Sequence, residues 1–214
     1  DIEMGSSVTE LEEVVISSEA ADKNVKDNEM STNKLNMNTI SKIPSLLGEV
    51  EIIRSIQLLP GVSTVGEGAT GFNVRGGSID QNLVLLDEAP VYNSSHLFGF
   101  FSVFNPDAVK DVKLYKGGIP SRYGGRLSSI LDVRMREGNS KKFSYQGGVG
   151  TVFSRLALEA PIKKDKGSFI IAGRRSYVDI LAKPFLDGDT KLNFYDLTIK
   201  ANYKLSEKDQ VFLS

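Results

Sequence analysis

The sequence predicts a chain of two unlike parts. The first is a small α+β unit, a mixed sheet with short helices, over residues 39–138; the second is a run of antiparallel β-strands over residues 139–214. Three observations carry this. Charge is segregated: residues 1–30 hold nine of the 27 acids and two of the 26 bases, a net of -7, and the remaining eighteen acids and twenty-four bases give +6. Such an acidic, polar start reads as a solvated and mobile segment, set at residues 1–38. Short apolar runs broken by Gly and Pro fill the middle, and strict polar/apolar alternation takes over from Phe143.

Taken in order, the acidic segment is interrupted by one apolar island, Leu11-Glu-Glu-Val-Val-Ile16. Leu46, Leu47, Val50, Ile53 and Ile56 recur at helical spacing, which predicts one short helix ending before Pro60. Val84–Leu86, Val109–Tyr115 and Ile130–Met135 read as strands. In Tyr195–Leu205 every odd position is apolar or aromatic and every even one polar, so one face meets something greasy and the other meets water. Tyr195 and Tyr203 bracket the apolar face, about 26 Å apart along an extended chain. Phe143–Phe153 alternates more weakly and its parity changes by Leu156 and Leu158, as a hairpin or bulge requires. Pro161–Gly167 reads as a turn, followed by another strand from Phe169. Period two alone fits both a membrane-barrel wall and a soluble sandwich.

Several chemistries are excluded or disfavoured. With no cysteine, thiolate catalysis, Cys metal sites and disulfides are absent. An overall charge of -1 gives no field for nucleic acid, and no run approaches the roughly 18 apolar residues of a membrane helix. Gly66-Glu-Gly-Ala-Thr-Gly71 has the spacing of a dinucleotide loop. But Pro60-Gly61 breaks the preceding stretch, and Phe72-Asn-Val-Arg-Gly-Gly77 offers no helix to supply a dipole. Those glycines are read as turn residues. His96, the single histidine, lacks a second histidine or cysteine for a metal site. Asp87 and Glu88, placed on a strand, would face opposite ways and could not act as an acid–base pair. No nucleophile elbow is present, so neither a catalytic residue nor a cofactor or metal site is assigned. Arg122 and Arg126 lie among the turn glycines of Tyr115–Leu127.

Within residues 39–138 come Leu58-Leu-Pro-Gly-Val62, Phe72-Asn-Val-Arg-Gly-Gly77, Leu83-Val-Leu-Leu-Asp-Glu-Ala-Pro-Val91, Val112-Lys-Leu-Tyr-Lys-Gly-Gly118, Tyr123-Gly-Gly125 and Ile130-Leu-Asp-Val133. In this order and spacing they resemble the plug domain of TonB-dependent outer-membrane receptors, including its I-R-G and L-x-D-G-V-P segments. Val74 stands in place of isoleucine, Glu88 in place of the usual glycine, and Gly118 precedes Ile119. The wording is nearest to receptors of Bacteroidota, a group that includes the SusC-like importers.

The resemblance implies an outer-membrane transporter rather than an enzyme, with its N-terminal segment in the periplasm. Glu12, Glu13, Val14, Val15 and Ile16 look like a TonB box that adds a strand to TonB, which works with ExbB and ExbD; its β-branched run suits that role. Upper plug loops would face substrate through Thr64, Glu67, Thr70, Ser78, Gln81, Tyr92, Asn93, His96, Phe98 and Phe100. Arg75, Arg122 and Arg126 would pair with carboxylates on the barrel wall. Residues 139–214 become the first wall strands, in contact with outer-membrane lipid, and the chain is expected to be the front part of a barrel of about 22 strands. A surface lipoprotein would be a further partner of a SusC-like relative. The competing expectation is a soluble β-rich ligand-binding module, which would bury the apolar face of residues 195–205 instead of exposing it.

Overall fold

The computed structural model describes residues 31–43, 49–66, 70–96, 99–182 and 193–214. The strands, in chain order, are β1 (Thr32–Asn36), β2 (Val62–Thr64), β3 (Phe72–Val74), β4 (Asn82–Leu86), β5 (Ala89–Pro90), β6 (Ser95–His96), β7 (Phe101–Ser102), β8 (Val109–Tyr115), β9 (Ser129–Met135), β10 (Ser144–Val149), β11 (Phe153–Lys163), β12 (Gly167–Ser176), β13 (Tyr195–Lys204) and β14 (Gln210–Leu213). Short α-helices span Met37–Ile40, Ile52–Gln57 and Val178–Ala182, and a 3₁₀ turn spans Ile79–Gln81.

Two five-stranded sheets dominate. The first has the order β1-β8-β9-β4-β5. Its β4–β9 pair is parallel and its other pairs antiparallel, so it is mixed, as the sequence predicts. Its core packs Ile52, Ile53 and Ile56 of the middle helix, with Ile40, Phe72 and Val74, against Val84, Val112, Leu114, Leu131 and Val133 of the sheet. The second sheet is an antiparallel meander, β10-β11-β12-β13-β14. The sheets meet where Ala108 and Met135 pack on Ala157 and Ala172, small side chains that allow close approach.

Three differences from the sequence reading have physical causes. Thr32–Asn36, assigned to the acidic segment, pairs in full register with β8 and forms the sheet edge, where polar side chains are tolerated. The predicted turn at Pro161–Gly167 is shorter. β11 runs on to Lys163 with a register shift between Pro161 and Lys163, a position at which a proline without an N–H is accommodated. Asp87 and Glu88 lie in a two-residue turn between Leu86 and Ala89, both at positive φ (45° and 74°), rather than on opposite faces of a strand. Of the predicted helix, Ile53 and Ile56 are helical, whereas Leu46 and Leu47 lie outside the described residues.

Candidate functional site

The second sheet exposes apolar side chains on one face and buries polar ones on the other along β13. On β13, Tyr195, Leu197 and Ile199 are 79%, 67% and 49% exposed, whereas Lys200 and Asn202 on the alternate face are buried. Register carries the same outward face across the sheet: Leu156 lies beside Gly173 and Leu197, Leu158 beside Ile171 and Ile199, and Ala160 beside Phe169 and Ala201. Among the described residues no helix is long and apolar enough to cross a membrane; that statement does not bear on strands.

The inward face forms a polar seam with the first part of the chain. Arg174 is its centre, its side chain fully buried. Its Nε and Nη2 donate to Asp196 Oδ2 at 3.0 and 2.6 Å, its Nη1 to Glu49 Oε1 at 3.4 Å, and its Nη2 also to the Ser102 carbonyl. Phe194 and Phe153 flank the guanidinium, at 5.4 and 6.0 Å from ring centroid to Cζ. The Ser102 N–H donates to both Glu51 carboxylate oxygens, at 3.1 and 3.3 Å, so β7 is held through its backbone from two sides. Burial pushes the Glu51 carboxyl up to about 7, while the Ser102 N–H and Arg174 pull it down. Burial raises Glu49 too, again opposed by Arg174.

Further ion pairs run along the seam. Arg155 Nε lies 3.4 Å from Asp107 Oδ2, Arg136 Nη1 lies 2.8 Å from Glu159 Oε2, and Lys200 Nζ lies 2.8 Å from Asp87 Oδ2. Asn202 donates to Glu137 Oε2 at 3.2 Å. Three of the cations, Arg155, Arg174 and Lys200, come from the second sheet, and their partners Asp107, Glu49 and Asp87 from the first part of the chain.

The arginines singled out in the sequence lie elsewhere. Arg75 donates to Ser31 Oγ at 2.9 Å, Arg122 to the Tyr115 hydroxyl at 3.2 Å, and Arg126 is exposed beside the Gly125 carbonyl. Sequence reasoning missed Arg174 because β12 carries Ile170 and Ala172 on the same inward face, which hides its alternation. It missed Glu49 and Glu51 because carboxylates beside a helical pattern read as solvated. The available signal was the polar face of β13, with Asp196 and Lys200 at even positions.

The predicted loop residues divide into groups. Ser78 and Tyr92 line one cavity of about 610 Å³, together with Asn73, Asp80, Asn82 and Arg126, the last expected instead to pair with a carboxylate of the barrel wall. Tyr92 is 89% exposed. Gln81 instead closes a capping box with Ser78, and Asn93 accepts from the Ser95 N–H. Thr70 is buried and donates its N–H to the Gly99 carbonyl. Thr64 ends β2, and Phe100 is half-exposed. His96 turns toward the second sheet: its Nε2 lies 2.5 Å from Asp196 Oδ1 and its ring stacks on Phe194 at 4.4 Å. Glu67, Phe98 and the stretch Glu12–Ile16 lie outside the described residues. Among the described residues no group of three His, Cys, Asp or Glu could hold a metal ion.

Comparison with known proteins matches this geometry. Residues 24–129 match the TonB-dependent receptor plug domain family. No curated protein sequence matches the chain. Among solved structures, the siderophore receptor PirA of Acinetobacter baumannii superposes with a TM-score of 0.61 at 16% identity, over 91% of this chain and 32% of its own. A mutant ferric enterobactin receptor PfeA of Pseudomonas aeruginosa, in complex with enterobactin, gives 0.57 at 14% identity, over 84% and 32%. The outer-membrane transporter YddB of Escherichia coli gives 0.54 at 13% identity, over 83% and 31%. The chain spans about a third of the length of these structures. Residues 24–129 thus match the TonB-dependent receptor plug domain family, and the chain shares the fold of about a third of the length of these solved structures.

Proposed function

We propose that the protein is a TonB-dependent active transporter of the outer membrane, in which the plug closes the lumen of a 22-stranded barrel whose first strands are β10–β14. The observation that carries this reading is the exposure of Leu197 and Ile199 opposite buried Lys200 and Asn202. A wall between lipid and a polar lumen needs that arrangement, and a soluble sandwich needs the reverse. The domain limits in this reading are 1–38 for the N-terminal segment, 39–138 for the plug and 139–214 for the wall, with Thr32–Asn36 at the end of the segment joining the plug sheet as its edge strand. Transport needs no catalytic residue and none is assigned.

In this reading TonB, energised by ExbB and ExbD, pairs with Glu12–Ile16 from the periplasm. The cavity bounded by Ser78, Tyr92 and Arg126 faces the substrate side with the neighbouring loops. Direction follows from loop length. The second sheet has turns at residues 164–166 and 205–209 at one end, and at the other a short turn at residues 150–152 together with its one long connection, residues 177–194. Outer-membrane barrels keep short turns in the periplasm and long loops outside. The wording shared with Bacteroidota receptors favours a SusC-like importer with a surface lipoprotein partner.

Val14→Pro tests the coupling, because proline removes a main-chain donor from the strand that TonB must pair. In the full-length receptor it is expected to abolish energy-dependent uptake while leaving substrate binding at the surface intact. Uptake at the unaltered rate would show that residues 12–16 are not the TonB contact.

A further inference from the structure

The cavity of about 610 Å³ beside β3 is held open by contacts that no ligand has to supply. Asn82 donates to the Phe72 carbonyl at 2.7 Å and accepts from Ser129 Oγ at 2.7 Å, which ties β3, β4 and β9 together. Ser128 donates its N–H to the Gln81 carbonyl at 2.9 Å and its hydroxyl to the Val74 carbonyl at 2.7 Å. Gly77 permits that approach, since a Cβ there would run into the Ser128 side chain. These contacts bring Arg126, two residues before Ser128, to the same hollow as Asp80, the neighbour of Gln81.

Polar groups at this cavity lack protein partners. Phe72 and Val74 pack into the core, so Asn73 between them faces the opposite way, toward the hollow. Its Oδ1 is buried and receives no hydrogen bond among the described residues. A buried acceptor without a donor is costly, and native structures leave few of them. Asp80, on the 3₁₀ turn, and Arg126 are both exposed. They bound one cavity, yet they do not pair with each other. Among the described residues neither has an ion-pair partner, and Arg126 reaches only its neighbouring Gly125 carbonyl, at 3.4 Å. The lining is completed in part by Val65, Ile79, Val84 and Val91, an apolar surface beside the ring of Tyr92.

A carboxylate, a guanidinium held apart from it, a buried acceptor and an apolar surface select among ligands. A neutral glycan would meet neither charge. An anionic chelate would suit Arg126 and be repelled by Asp80. A peptide with free ends carries an ammonium, a carboxylate, and N–H donors and side chains between them. We infer that the cavity binds a short peptide with free termini, its ammonium at Asp80 and its carboxylate in the Arg126 fork. A peptide N–H is donated to Asn73 Oδ1, and an apolar side chain lies against Val84 and Val91. That this peptide is the transported substrate rests on the function proposed above; its chemistry rests on the cavity alone.

The test is calorimetry on the full-length protein in mild detergent, with alanyl-leucyl-alanine, its N-acetyl form, its C-terminal amide and maltose as probes. The free tripeptide is expected to bind, and blocking either end to weaken binding about tenfold or more. Asp80→Asn is expected to weaken the free tripeptide about tenfold and to leave the N-acetyl form unaffected, because that form has no ammonium to lose. Arg126→Gln is expected to do the same with respect to the amide. A merely structural role for either side chain would weaken all forms alike. Absence of tripeptide binding, equal affinity for free and blocked forms, equal losses across all forms in either variant, or tighter binding of maltose overturns the site. Binding of the free tripeptide by a full-length protein recovered from the soluble fraction without detergent keeps the site and overturns the transport reading, so the two failures are separable.

Discussion

At the scale of single residues, Glu51 and Glu88 each sit where chemistry and backbone disagree. Glu51 is 5% exposed with its carboxyl raised to about 7 by burial. The folded protein holds this proton up to about pH 7, whereas the unfolded chain releases it near the ordinary value of 4.5. Between those values the folded state binds more protons, so stability falls as pH rises. The contribution is fully present below 4.5 and lost through about 7. Glu51→Gln, neutral throughout, is expected to remove on the order of 3 kcal/mol of that dependence. Denaturant unfolding of both proteins at pH 5 and pH 8 checks it, and an unchanged difference between the two pH values would assign the titration to another group. Glu88 holds a φ of 74° in a turn that favours glycine, with a half-open ion pair to Arg134 at 3.1 Å as its only described compensation. Because that pair is exposed, its loss costs little. Glu88→Gly is expected to raise stability by about 1 kcal/mol, read as a higher unfolding midpoint.

At the scale of elements, the connection from β9 to β10 depends on Gly138. A Cβ there would run into the backbone carbonyl of Phe169 on β12, and backbone cannot move aside as a flexible side chain can. Gly138→Ala is expected to cost about 1–3 kcal/mol and to loosen the packing of β9 on β12, seen as faster amide exchange at Phe169 and Ile170. Elements were legible where one face alone was apolar. β13 reads directly from Tyr195 to Leu205, and β4, β8 and β9 from their compact apolar runs. β12 is blurred because Ile170 and Ala172 face the plug while Phe169 and Ile171 face out, so both faces carry apolar groups. β1 was hidden because an edge strand needs few apolar residues, and its pairing with β8 is a contact across the chain that no local pattern encodes. In the candidate site, the cavity residues Ser78 and Tyr92 came from loop position, whereas Arg126 reads from the sequence as a partner for wall carboxylates. The inward arginine and the carboxylates that meet it required knowledge of which faces pack together.

At the scale of the whole molecule, the first part of the chain and the second sheet are joined by the seam around Arg174 as well as by the packing of Phe101 on Phe153 and Phe194. The small contact of Ala108, Met135, Ala157 and Ala172 sets the spacing, and Arg174 ties Asp196 on the second sheet to Glu49 and the Ser102 carbonyl in the first part of the chain. A buried pair of this kind adds little net stability over an apolar substitute, but removing one partner strands the other charge in a dry site. Arg174→Met should therefore cost about 3–5 kcal/mol, more than its lost contacts alone would suggest. Adding Glu49→Gln should recover part of that loss, because the carboxylate it neutralises is the one left unpaired. Asp196 has a second neighbour in His96, at 2.5 Å, and so is less dependent on Arg174 than Glu49 is. The same double variant should leave β13 protected in amide exchange while β7 loosens, because β13 keeps its ladder to β12, whereas among the described residues the backbone of β7 is otherwise held by its two-residue pairing with β6 and the Glu51 contact. Additive losses for Arg174→Met and Glu49→Gln would show that the two side chains are not coupled, and the seam would then be a set of independent contacts rather than the joint between the first part of the chain and the second sheet.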